Sequence, residues 1–128
     1  MRSAARRTVG QVAEHLGLDP DTLRYYERRA VVPAPERDAA GRRVYSDRAV
    51  HLLEVLVHLR RAGMPLAEIA EFTQLVAADP HGVPERLTLL ITQRDRVRAQ
   101  QHQLQQSMAV IERKIDDYRQ RLTRSAAT

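Results

Sequence analysis

A chain of 128 residues has room for one domain, or a small domain with an appendage, and little for an enzyme core beside a separate regulatory module. Its formal net charge of +5 is carried almost wholly by arginine, with Lys114 the only lysine, and the planar guanidinium fork suits phosphate oxygens and guanine edges, so nucleic acid leads among partners. Cysteine is absent, which excludes disulfides, thiolate metal sites and thiol chemistry. No apolar run approaches the roughly 20 residues that span a bilayer, and the basic amino terminus (Arg2, Arg6, Arg7) has no apolar stretch behind it, so a cytoplasmic, nucleoid-associated protein with no membrane partner is expected.

In chain order, Thr8 to Gln11 has the spacing of a capping box, with the Thr8 hydroxyl serving the Gln11 amide and the Gln11 side chain reaching back. The helix it opens has an apolar face of Val9, Val12, Ala13 and Leu16, and Gly17 supplies the left-handed residue that ends it. Asp19 then suits an N-cap with Pro20 at the first helical position, and a second helix is expected to about Arg29. Two helices joined by so tight a turn form the unit that places its second helix in a major groove.

Val31 to Pro33 reads as a short extended segment, Asp38 to Gly41 as a turn, and Arg42 to Tyr45 as a returning strand, so a small basic-tipped hairpin, or wing, is expected. Ser46 caps a third helix whose apolar residues, from Val50 to Leu59, cover more than one stripe and so need cover on several sides. Gly63 ends it. Pro65 starts a fourth helix, with Leu66, Ile69, Ala70 and Phe72 facing inward, which stops before the loop from Ala78 to Gly82.

Pro84 opens the last element, and from Leu87 an alternation of three and four residues runs through Leu90, Arg94, Val97, Gln101, Leu104, Met108, Ile111, Ile115, Tyr118 and Leu122. This is a heptad seam. Nothing else in the sequence is large enough to cover it, so a second copy of the same helix is the expected cover, the other option being that it folds back on its own domain. Leu87, Leu90, Val97, Leu104, Met108, Ile111, Ile115, Tyr118 and Leu122 are the dimerisation residues; Arg94 and Gln101 weaken the seam locally and either fix its register or open it toward another element. The divisions expected are 7–77 for a DNA-binding domain, 78–83 for a linker, 84–123 for the dimerisation helix and 124–128 for a tail.

On the second helix, Leu23 and Tyr26 have the spacing of core-facing positions, which leaves Thr22, Arg24, Tyr25 and Arg28 toward a groove. Arginine pairs bidentately with guanine, and tyrosine donates to phosphate or packs on a base or sugar. An enzyme would need a convergent nucleophile, base or metal cluster, and neither a glycine-rich phosphate loop nor metal-ligand spacing is present, so no enzyme and no cofactor is expected. His51 and His58 lie two helical turns apart, about 10.5 Å along the axis, too far to share a metal ion within one chain, although a dimer contact would bring His58 near its symmetry mate; a structural or solvated histidine is expected over metal or proton sensing. His15, His81 and His102 show no partner in the sequence.

These pieces together, Thr8 to Leu16, DTLRYYERR at 21–29, Val32 to Pro35, GRRVYS at 41–46 and LRRAGMPLAEI at 59–69, resemble the MerR-type bacterial transcription regulators. Each is degenerate, but their order and spacing are specific, and the likeness covers about residues 8–76. The resemblance implies a mainly α fold: a winged helix-turn-helix domain, then a helix pair, then a long C-terminal helix forming an antiparallel coiled-coil dimer. It implies that Arg24, Tyr25 and Tyr26 lie on the recognition helix, that Arg43 and Tyr45, beside Arg42, lie on the first wing, and that Arg60 and Arg61 belong to a second wing touching phosphates. It also implies double-stranded promoter DNA with an inverted repeat, bent and untwisted so that RNA polymerase, an indirect partner, is controlled.

The sequence departs from the family at Ala30 and Val31, where relatives often carry Gly and Leu. The thiolates that metal-sensing members use, near the start of the long helix and beyond its end, have no counterpart. The few residues after Leu122 leave no room in this sequence for the large drug-binding domain of other members. The chain is most similar to the short subgroup related to aldehyde- and electrophile-responsive regulators, but His58 stands where some of those place a thiol, so thiol sensing does not carry over; a small-molecule effector stays open. The competing reading is an architectural or excision factor that binds DNA without promoter-specific regulation.

Overall fold

The computed structural model of the chain describes residues 7–127, with Arg2 and Arg6 of the basic amino terminus and Thr128 of the tail outside that range. Seven elements follow in order: α1 (Val9–Leu16), α2 (Pro20–Arg28), β1 (Glu36–Arg37), β2 (Arg43–Val44), α3 (Asp47–Arg61), α4 (Leu66–Ala77) and α5 (Val83–Ala127). Local chemistry sets most of the helix ends. Thr8 and Gln11 form both halves of the capping box, Asp19 caps α2 by accepting from the Asp21 amide with Pro20 at the first position, and Ser46 accepts from the Ala49 amide. Gly17 ends α1 at φ 69°.

The end of α2 is less usual. The Val31 N–H donates to Tyr26 O at 2.9 Å and the Ala30 N–H to Glu27 O at 3.1 Å, which is the paired bonding of a Schellman motif. Its left-handed residue is Ala30, at φ 57°, where glycine would be free of strain.

The segment after it is not extended as the sequence reading expects. Val31 and Val32 are both buried in consecutive bends: the amides of both turn back to Tyr26 O at 2.9 and 3.4 Å, and the buried Thr73 hydroxyl of α4 donates to Val31 O at 2.7 Å. The strand that pairs with β2 comes later. Glu36 faces Val44 and Arg37 faces Arg43 in an antiparallel pair, and Tyr45 continues the edge by exchanging two backbone bonds with Arg7 at 2.9 and 3.0 Å.

The core gathers residues from α1 to α4, with Val12, Leu23, Met64 and Ile69 the largest fully buried side chains. Each is worth roughly 1.5–3 kcal/mol relative to exposure. α3 buries Val50, Leu53 and Leu56 and half-buries Leu52, Val55, Val57 and Leu59, so part of its apolar girth is covered within this unit.

The chain divides into two compact units at Gln93. α5 begins at Val83, and its turns up to Gln93 cluster with the first unit rather than with the rest of the helix. Leu89 packs on the core, and the buried Gln93 donates from Nε2 to Ala62 O at 2.9 Å, serving a carbonyl at the C-terminal end of α3. The second unit, from Arg94, is helical to Ala127. No helix among the described residues is long and apolar enough to cross a membrane.

Candidate nucleic-acid interface

α2 buries Leu23 completely and packs Tyr26 against the core, as their spacing predicts. That orientation turns Tyr25, 43% exposed, and Arg28 and Arg29 to solvent, with Thr22 and Arg24 half-exposed beside them. The face is preorganised by its own contacts. Arg24 Nη1 meets Asp21 Oδ1 at 2.9 Å, and the Arg29 guanidinium lies 5.6 Å from the Tyr25 ring centroid while donating to its hydroxyl at 3.3 Å. Both ion-pair partners are solvent-exposed, so an incoming phosphate or base edge competes with a weak contact.

Glu27 ties this helix to the wing. Its side chain is 6% exposed; Oε2 accepts from Arg43 Nε at 2.8 Å and Oε1 accepts from the Tyr45 hydroxyl. Tyr45 is therefore not the surface residue that the family likeness implies. It is 2% exposed, and burial, then the Glu27 carboxylate beside it, pushes its hydroxyl pKa well up. The ring is a strut that sets the wing against α2, and it offers a duplex no side-chain surface. Arg43 is half-buried by the same link.

Arg42 is an exposed cation of the wing turn. Asp38 organises that turn by accepting from the Ala40 and Arg42 amides at 2.9 Å each and from Arg42 Nε at 3.1 Å. The Arg42 amide, together with its guanidinium, holds the Asp38 carboxyl below the usual carboxylate range.

At the corner between α3 and α4 the two arginines differ. Arg60 is exposed, its Nη1 reaching Met64 O at 3.4 Å. Arg61 donates from Nη2 to Leu16 O at 3.0 Å, a bond that closes the open C-terminal end of α1 and joins the first helix to the third. Arg61 thus has a structural duty that the phosphate role assigned by resemblance does not include.

Sequence reasoning missed Glu27 and the partner of His15. The one carboxylate inside the basic run RYYERR was the available signal for Glu27, since an acid on a basic helix face implies a fixed cation. His15 Nε2 stands 2.6 Å from Glu54 Oε1, and this bond holds the Glu54 carboxyl below its ordinary range; no local pattern announces a contact 39 residues long. His51 and His58 are exposed on α3, and among the described residues no group of three or more His, Cys, Asp or Glu could hold a metal ion.

A capped helix, a tight turn, a second helix with an arginine and tyrosine face, and a two-stranded wing locked to it define the winged helix-turn-helix class of DNA-binding domains. A family model described as "MerR HTH family regulatory protein" matches residues 7–75, more than half of the chain, and a second, "MerR, DNA binding", matches residues 50–114. The chain belongs to the MerR family of transcriptional regulators.

It is 30% identical over 111 residues to an uncharacterised HTH-type transcriptional regulator of Haemophilus influenzae, covering 87% of this chain and 82% of that one. To the HTH-type transcriptional regulator AdhR of Bacillus subtilis it is 33% identical over 89 residues, covering 70% of this chain and 64% of that one. Its fold is similar to that of HiNmlR, described as a MerR family regulator lacking the sensor domain and bound to promoter DNA, with 29% identity, a TM-score of 0.81 and coverage of 91% and 92% of the two chains. These relatives are regulators rather than enzymes.

Proposed function

We propose that the protein is a sequence-specific regulator that binds an inverted-repeat promoter site as a homodimer and distorts the DNA to control RNA polymerase. The observation that carries this reading is the face of α2. Tyr25, Arg24 and Arg28 stand outward on a helix whose other side is locked into the core and, through Glu27, to a basic wing. Arg24 and Arg28 serve base edges or phosphates, Arg42 and Arg60 serve phosphates, and Thr22 and Tyr25 add hydroxyl contacts.

The homodimer is supported by residues 84–123 as its dimerisation helix. Leu104 and Leu122 are 70% and 71% exposed, and Leu87, Met108, Ile111, Ile115 and Tyr118 are also more than a third exposed. An apolar ridge of this length in water calls for an apolar cover, and its heptad period fits a second copy. Two copies related by a two-fold axis present two recognition helices, which an inverted repeat matches.

Selection of bound duplexes from a random pool tests the reading. A regulator enriches one palindrome and prefers it over random DNA by roughly a thousandfold or more, and the selected duplex migrates as bent DNA in a permutation assay. A protein that enriches no palindrome and binds all duplexes within about tenfold is the architectural factor instead.

A further inference from the structure

A cleft of about 440 Å³ opens between α3, α4 and the stem of the wing. That volume lies in the range of small-molecule sites, roughly 300–1,000 Å³. Its walls are mostly apolar: Leu52 and Val55 come from α3, Phe72 and Val76 from α4. The rim is charged. Arg48 and His51 stand exposed on α3, and Arg86 and Glu36 complete the set. Arg86 is held by Asp79 at 2.6 Å and Glu36 is also engaged, so the Arg48 guanidinium is the rim cation without an ion-pair partner among the described residues.

We propose that this cleft binds a small amphipathic monoanion, a medium-chain or aromatic carboxylate whose apolar body lies on Leu52, Val55 and Val76 and whose carboxylate pairs with Arg48. The guanidinium fork takes a carboxylate bidentately, the His51 ring adds a polar neighbour, and each buried methylene strengthens binding about fourfold. Pro35, just before β1, and Val44, within β2, also line the cleft. An occupant therefore braces the wing stem against α3 and α4 and biases where the wing sits. This coupling rests on the DNA-binding role proposed above, whereas binding of the carboxylate itself does not.

Calorimetry on the intact protein with octanoate, octanol and octylammonium provides the test. Octanoate binds saturably and at least tenfold tighter than the other two, Arg48→Ala brings it down to the level of octanol, and Val55→Trp, which fills the cleft, removes it. Methyl NMR of the wild-type protein locates the ligand without depending on how a variant folds: the Val55 and Val76 methyl signals shift on titration with octanoate.

Equal binding of the three probes, an Arg48→Ala variant that keeps its preference, unmoved methyl signals, or no saturation at millimolar octanoate overturns the site. So does a second copy of the chain in the cleft, which reveals itself as a dimer weakened by Val55→Trp in sedimentation with no octanoate bound. With binding established, a selected operator whose affinity is unchanged by saturating octanoate overturns the coupling. Failure to enrich any palindrome overturns the regulatory role and leaves the calorimetry standing.

Discussion

Ala30→Gly should stabilise the protein. Ala30 occupies the left-handed position of the motif that ends α2, at φ 57°, and an L-residue there costs roughly 1–2 kcal/mol. Glycine relieves that strain but loosens the unfolded chain, which gives back about 0.4–1 kcal/mol. At the middle of both ranges the net gain is about 0.8 kcal/mol. The two closing bonds, Val31 N–H to Tyr26 O and Ala30 N–H to Glu27 O, are backbone bonds and survive the change. With a mid-range urea slope of about 2 kcal/mol/M, the unfolding midpoint rises by about 0.4 M at unchanged slope. Ala30→Val is the control, since a β-branched side chain at positive φ is worse still, and its midpoint falls. A glycine variant with an unchanged or lower midpoint would refute the argument that α2 ends under strain.

Glu27→Gln removes the charge that holds Arg43 and the Tyr45 hydroxyl, and leaves both partners half-satisfied in a mostly buried setting. It should cost about 1–3 kcal/mol in a urea melt and weaken DNA binding while sedimentation still reports the wild-type oligomer; unaltered DNA affinity would show that the wing does not need its strut. Arg24→Ala should cost roughly 1–3 kcal/mol in DNA binding and relax preference at one base pair, measured by repeating the selection with the variant, whereas an equal loss on every sequence reassigns Arg24 to phosphate. Leu104→Glu places a charge in the middle of the seam and should yield monomers in sedimentation with a large drop in affinity for the selected palindrome. A variant that remains dimeric would show that the heptad ridge is not the interface.

Where the determinants are local, the residues alone carry the fold. The capping box at Thr8, the Gly17 stop, the Asp19 and Pro20 start and the Ser46 cap each depend on side chains within four residues of the backbone they serve, so the sequence exposes them. The wing was legible as a hairpin but its first strand was not. Val31 and Val32 have strand-like side chains, yet their amides turn back to Tyr26 O in the motif that ends α2, which carries alanine rather than the expected glycine at its left-handed position, and Thr73, 42 residues further on, adds a bond to Val31 O. The outward face of α2 was readable because Leu23 and Tyr26 fix the helix rotation by spacing. Tyr45, Arg61 and His15 were not readable in the same way. Their partners Glu27, Leu16 and Glu54 are 18, 45 and 39 residues away, and an aromatic or a cation on a basic domain looks the same in sequence whether it meets solvent or a carboxylate.

The side-chain amide of Gln93 has a consequence for how α5 is seated. Apolar packing such as that of Leu89 tolerates a small rotation or slide, because one methyl contact replaces another at little expense. An amide aimed at a single peptide oxygen does not: sliding the helix by one residue parts the buried Gln93 amide from the Ala62 oxygen, a loss of about 1–3 kcal/mol for a buried donor left without that acceptor. The early turns of the long helix are thereby keyed to one angular setting on the corner that carries Arg60. A twist applied to those turns would reach that corner before it was absorbed by repacking.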